Sequence, residues 1–332
     1  MRWAEAKRLV LRSLPKIAQI AGREGDRLAR YRTDPVGYMR DVLGLRPWPM
    51  QEEICRLLLQ PPHRVLVRAS HSVGKTWLCA ALVSWFYDCF PSSATLTTAP
   101  TARDVSDLLW REVRLQRAAA KRGGFSGHAR PLLQDKPDHY AKGFTAESGE
   151  SFQGRHQERM LFVLDEAIGI KSIFWDTIRT MFDPGGSHHA IAICNPTDSS
   201  SQFKQEEDSG GWHVVQMGSI DHPNLQAGLR GEPIPYPGAV TLQQFEDWLA
   251  AWSDPIEAIE AQPEDIEWPP DSGKWYRPGP QMDARALGRW PRQSVNAVWS
   301  EGLWQKVLAT KVNLVEKWPV QIGCDVAQYG DD

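Results

Sequence analysis

An α/β fold built on a parallel sheet flanked by helices follows from three features of the 332-residue sequence. Apolar β-type runs alternate with helix-like stretches between Arg64 and Thr197, the pattern of strands joined by helical crossovers. One run, R-V-L-V-R, passes through a short loop into the helical T-W-L-C-A-A-L-V-S-W, with Gly74-Lys75-Thr76 at the junction. Another, M-L-F-V-L, ends in the adjacent carboxylates Asp165 and Glu166. Parallel strands buried on both faces read as continuous apolar runs, and ligands bind at their carboxyl ends. These two junctions are therefore expected side by side.

The first junction, Ser70-His71-Ser72-Val73-Gly74-Lys75-Thr76, has the layout of a phosphate-cradling P-loop. Backbone N–H groups at the helix start surround an anion, Lys75 pairs with β/γ-phosphates, and the Thr76 hydroxyl holds Mg²⁺. The first glycine of the usual pattern is Ala69, so the loop is a deviant version. Ser70 and Ser72 either offer hydroxyls to phosphate or cap nearby backbone. His71 either touches phosphate or fills the loop.

The second junction supplies what phosphate chemistry needs: Asp165 for the Mg²⁺ shell and Glu166 to orient or deprotonate water. An Asp-Glu pair standing alone reads as a solvated helix start. Here it follows an apolar strand and a Gly-Lys-Thr loop, and it points to ATP with Mg²⁺. Asn195 ends the run H-A-I-A-I-C, where an amide can sense the γ-phosphate, although an Asn-Pro step also starts turns for local reasons. Arg155, in Q-G-R-H, reads either as a charge lent to a neighbouring subunit's γ-phosphoryl group or as a locally paired surface arginine. Arg68, read as part of the phosphate loop, is its competitor within one chain.

Bulk properties set limits. Hydrophobic residues make up 42% and charged residues 24% of the chain, ordinary for a globular protein. A formal net charge of −3 argues against a generic basic nucleic-acid binder, so any DNA contact must use local patches. Five scattered cysteines show no metal-ligand spacing and fit a reducing cytoplasm. No apolar run approaches membrane-spanning length, and the N-terminus lacks the apolar centre of a secretion signal.

Four segments are expected. Residues 1–62 form a helical N-terminal segment, basic at its start. Residues 63–200 form the P-loop core, and residues 201–292 a small, irregular, tryptophan-rich lid or linker subdomain. Residues 293–332 end in W-P-V-Q-I-G-C-D-V-A-Q-Y-G-D-D, which reads as a strand that begins something further.

Taken in order, several motifs resemble the large terminase subunit of tailed bacteriophages, the genome-packaging motor, whose ATPase is an ASCE-type P-loop domain. P-W-P-M-Q-E-E-I resembles the family's adenine-reading segment, which makes Gln51 the base contact. S-H-S-V-G-K-T resembles its deviant phosphate loop, S-F-Q-G-R-H-Q-E-R-M-L-F-V-L-D-E-A the approach to its acidic pair, and I-C-N-P-T its coupling motif. D-H-P-N-L and A-L-G-R-W-P fall where the family has H-P-N and G-x-x-P segments. The resemblance covers the chain from about Pro47 onward.

It implies translocation of double-stranded DNA into a procapsid by a homo-oligomeric ring, a pentamer when active, in the host cytoplasm. The partners would be portal protein and small terminase subunit. It also implies that Asp325 matches a metal-binding aspartate on the first strand of an RNase H-like nuclease, which uses Mg²⁺ or Mn²⁺. The rival readings are a two-core-domain helicase and a nucleotide-binding switch without turnover.

Overall fold

The structure, a computed structural model, describes residues 27–291 apart from 126–129, 146–156, 184 and 186. Arg155, Asp325, the basic N-terminal stretch and the nuclease-like C-terminal strand lie outside the described residues.

Two short helices, α1 (Pro35–Asp41) and α2 (Pro49–Leu58), precede strand β1 (Arg64–Ala69). Each starts with proline at the first helical position, where the missing N–H costs nothing. Asp34 caps α1 by accepting from the Gly37 N–H. Helix α3 (Lys75–Cys89) follows the phosphate loop and leads to β2 (Ser93–Ala99). A π-helical turn (Asp104–Leu109) then opens α4 (Trp110–Ala119). Next come β3 (Leu132–Lys136), β4 (His139–Thr145), β5 (Arg159–Leu164), α5 (Ser172–Met181), β6 (His188–Cys194), α6 (Gln202–Asp208) and β7 (His213–Met217).

Seven strands form one sheet in the order β3-β4-β2-β5-β6-β1-β7. Every neighbouring pair is parallel except β3 with β4. Alternation along the strands divides the core into two layers. Val65, Val67, Leu161, Val163, Ile191 and Ile193 face α2, α3 and α4, while Leu66, Phe162, Leu164 and Ala192 face Phe174, Trp175 and Ile178 of α5. Helix α3 is apolar nearly all round because it is buried on almost every side, with α1 and α4 packed outside it.

Two features differ from the sequence expectation. The sheet does not end at residue 200, because β7 runs parallel to β1 beyond that boundary. As an edge strand of alternating burial, β7 lacks the long apolar run by which its neighbours are recognised. The C-terminal segment is also less irregular than its composition suggests. It holds α7 (Pro223–Leu229), α8 (Leu242–Trp252) and a three-stranded antiparallel sheet of β8 (Ser253–Ile256), β10 (Trp275–Pro278) and β9 (Ile266–Glu267), then a π-helical turn (Met282–Ala286). Its tryptophans pack: Trp268 is buried against Phe245, and Trp248 stacks on Trp252.

Candidate nucleotide site

The sheet order places three strand ends in a row. β6 lies between β1 and β5, so Asn195 at the end of β6 stands between the phosphate loop and the Asp165-Glu166 pair. Asn195 bridges them directly. Its Nδ2 donates to the Ala69 carbonyl (2.6 Å), and its Oδ1 accepts from Lys75 Nζ (2.5 Å). Lys75 Nζ also lies 3.1 Å from Glu166 Oε1. Thr76 Oγ1 donates to Asp165 Oδ1 at 3.4 Å.

The backbone is shaped for this. Gly74 stands at φ 82° immediately before α3, a left-handed conformation that glycine adopts without steric cost. Glu166 adopts φ 48°, a strained conformation for a side-chain-bearing residue and one that clusters at functional sites. Its own N–H donates to Asp165 Oδ1, which fixes the two carboxylates relative to each other.

Asp165 is almost wholly buried, and its carboxyl is pushed up to about 6 by burial and then by the charge of Glu166, with Lys75 and Thr76 opposing. A buried carboxylate whose hydroxyl neighbour also bears an oxygen lone pair fits one flank of a small, oxygen-seeking dication. Mg²⁺ commonly takes only one or two protein ligands and completes its octahedron with phosphate and water. Among the described residues no cluster of three or more His, Cys, Asp or Glu could form an all-protein metal cage.

A cavity of about 650 Å³ opens beside the loop. Gln51, Ser72, Val73, Gly74, Lys75, Thr76 and Glu166 line it, with Leu45, Trp48, His222 and Tyr236 at other walls. It therefore gathers seven of the residues singled out in the sequence.

Several take other parts than expected. Gln51 braces the loop: its Nε2 donates to the Gly74 carbonyl (3.0 Å), while its Oε1 accepts the Trp48 N–H (3.1 Å). The Ser70 side chain is fully buried, with its hydroxyl 2.7 Å from Ser219 Oγ. Ser72, at φ 57°, offers its carbonyl to the Val240 N–H. The His71 N–H donates to the Arg285 carbonyl (2.7 Å). Its imidazole is held below the usual range by burial and then by the positive charges of Lys75 and Arg285, so it is neutral near pH 7.

Arg68 corrects the sequence reading. It belongs to β1 rather than to the loop, and its guanidinium faces Glu207 of α6 at 3.5 Å. Glu207 in turn accepts from Trp290 Nε1. Competition for Arg68 by a carboxylate on the helix that joins β6 to β7, the two neighbours of β1, could not be read from R-V-L-V-R.

Residues missed from the sequence include Trp48, whose indole N–H donates to the Val73 carbonyl (3.0 Å), and the strap Pro235–Ala239 over the cavity. Asn224, buried, holds that strap through bonds to Tyr236 and Val240. His222 caps α7 by accepting the Asn224 N–H at Nδ1. The D-H-P-N-L motif thus marks a structural corner beside the cavity.

A strand between the loop-bearing and acid-bearing strands, with the loop, the acids and a polar residue at their carboxyl ends, is the arrangement of ASCE P-loop nucleoside triphosphatase domains. The fold is similar to that of phage large terminases over part of their length. The large terminase of a thermophilic bacteriophage shares it at 14% identity and a TM-score of 0.51, over 75% of this chain and 55% of that one. A second crystal form of that protein, in complex with ADP, aligns at 14% identity and 0.46, over 66% and 57%. The ATPase domain of the Thermus phage P74-26 large terminase aligns at 16% and 0.47, covering 61% of this chain and 94% of that domain. The chain thus spans about half the length of the whole terminase it matches. No protein-family model and no curated protein matches the sequence.

Proposed function

We propose that this protein is an ATP-hydrolysing motor that drives double-stranded viral DNA into a procapsid, the role of a terminase large subunit. One observation carries the reading: Lys75 and Thr76 of the loop lie against Glu166 and Asp165, at 3.1 and 3.4 Å. A lysine and a hydroxyl on one side with two carboxylates on the other is what transfer of a γ-phosphoryl group to water requires.

ATP would lie along the cavity with its phosphates on the loop N–H groups and Lys75, and its base towards Leu45, Trp48, Gln51 and Tyr236. Mg²⁺ would be held by Thr76 and Asp165 and would neutralise charge on the β- and γ-oxygens. Glu166 accepts a proton from the attacking water as the bond to the bridging oxygen of ADP breaks. Asn195 would register loss of the γ-phosphate, a role supported by its bonds to both Lys75 and the Ala69 carbonyl. The ADP bound by the matched terminase supports nucleotide as the ligand.

The route from phosphate to motion is supported by the tethers of Ser70 to Ser219, His71 to Arg285 and Ser72 to Val240, which join the loop to the C-terminal segment. Among the described residues that segment offers helices and a small antiparallel sheet, not the second parallel core a two-core helicase needs. DNA grip would be electrostatic and sequence-blind, falling steeply with salt. The working assembly would be a ring, a pentamer, docked on the portal with the small subunit in the host cytoplasm. In the whole protein, a nuclease built from Asp325 and later carboxylates would cut the DNA.

The test is ATP turnover with and without DNA and procapsids, comparing wild type with Lys75→Ala and Glu166→Ala. Lys75→Ala should lose nucleotide binding, and Glu166→Ala should retain binding and lose turnover. Turnover unaffected by either change would end the reading, and strand separation without packaging would favour a helicase.

A further inference from the structure

We propose that Arg285 is a catalytic residue of this site, extending from the C-terminal segment to place its guanidinium on the γ-phosphate of ATP bound by the same chain. The inference rests on the ATP-hydrolysing reading above and adds to it the source of the positive charge that the transition state requires.

Four arginines belong to the described part of the C-terminal segment, and Arg230 pairs with Glu232 at 2.7 Å. Arg277 is neutralised by buried Asp265 at 3.0 Å, and Arg289 by buried Asp283 at 2.6 Å. Arg285 is exposed and makes no ion pair or side-chain hydrogen bond among the described residues. Its main chain is nevertheless docked on the phosphate loop, where its carbonyl accepts the His71 N–H at 2.7 Å. Gly288, at φ 63°, packs so closely that a Cβ there would lie 3.0 Å from the Arg68 carbonyl oxygen and 3.1 Å from the Ser70 nitrogen. The Leu287 carbonyl accepts from Gln216 of β7. The arginine's root is thus fixed at the start of the loop while its tip stays free.

The charges that bear on the His71 imidazole are Lys75, Arg285 and Glu166. Arg285 therefore shares its electrostatic neighbourhood with the two residues that face the reacting phosphate. An unneutralised guanidinium beside an anion-binding loop has the planar, multi-donor geometry to hold phosphoryl oxygens as negative charge spreads over them. Arg68 cannot take this part, because Glu207 already occupies it.

Arg285→Ala and Arg285→Lys, in the complete protein, test this. Because the side chain is exposed and makes no ion pair or hydrogen bond among the described residues, both variants should melt within a degree or two of wild type. Turnover should fall about 10³-fold in Arg285→Ala, the scale of a lost transition-state arginine, and free guanidinium should restore part of it. Affinity for ATPγS should fall several-fold while affinity for ADP stays unchanged, with Arg285→Lys intermediate. Wild-type turnover in Arg285→Ala, or equal loss of ADP and ATPγS binding, would overturn the inference. A wild-type protein without turnover would instead remove the ATPase reading, and the preference for ATPγS over ADP would then decide Arg285 alone. Should Arg285→Ala fail to fold, Arg285→Lys carries the same comparison.

Discussion

Lys75 and Asn195 meet at 2.5 Å across 120 residues of sequence, the ammonium at the start of α3 donating to the amide oxygen at the end of β6. The same amide donates to the Ala69 carbonyl, so one side chain joins the start of α3 to the end of β1.

Asn195→Ala should leave nucleotide binding largely intact and slow turnover. A hydrogen bond to a charged group is worth about 1.5–3 kcal/mol. Lost only after binding, that corresponds to a fall in kcat of about 10- to 100-fold. Steady-state kinetics with a parallel binding titration checks it, and a loss confined to affinity would contradict the sensor role.

Gly74→Ala should abolish nucleotide binding. Its φ of 82° is costly for alanine, and the new Cβ would lie 2.7 Å from Gln51 Nε2, the atom that braces the loop. The left-handed conformation alone costs about 1–2 kcal/mol. Thermal melting together with an ATPγS titration measures both effects. Gln51→Ala combined with Gly74→Ala should recover part of the stability lost, because the clash is gone.

Ser70→Ala should destabilise the fold by about 1 kcal/mol, the net worth of a buried hydrogen bond, and leave nucleotide affinity unchanged. A double-mutant cycle with Ser219→Ala should show coupling of similar size. Loss of affinity without loss of stability would return Ser70 to the phosphate.

Stability should fall on acidification below pH 6.5 partly because of His189. It is buried among Trp85, Phe86 and Phe90, and burial, then the charges of His63 and His188, bring its pKa down to about 3. The unfolded chain then binds a proton that the native state refuses, so stability is full above pH 6.5 and drains towards pH 3. At pH 5 the loss from this group is about 2 kcal/mol. His189→Phe should flatten the pH dependence of denaturant midpoints between pH 6.5 and 4, and an unchanged slope would exclude His189 as the titrating group.

How much of the site was legible differs residue by residue. Gly74, Lys75 and Thr76 announce themselves because a phosphate nest is made from consecutive backbone groups and needs specific residue types at fixed offsets. Asp165 and Glu166 were readable because an apolar strand that ends in acids has few other uses. The hairpin β3–β4 was not, since Gln134, Asp135 and Lys136 lie exposed on an edge strand where no apolar pattern is required.

From the sequence alone came the parallel sheet, the loop and the acidic pair, because continuous apolar strand runs and the chemistry of phosphate binding are written in neighbouring residues. Tertiary structure alone decided which partners the polar side chains around the loop meet. Ser70 meets Ser219, Arg68 meets Glu207 and the Gln51 amide meets Trp48 and Gly74, while the Arg285 side chain has no ion pair or hydrogen bond among the described residues. Local periodicity does not encode contacts between segments up to about 150 residues apart. They exist only once the sheet order has brought those segments together.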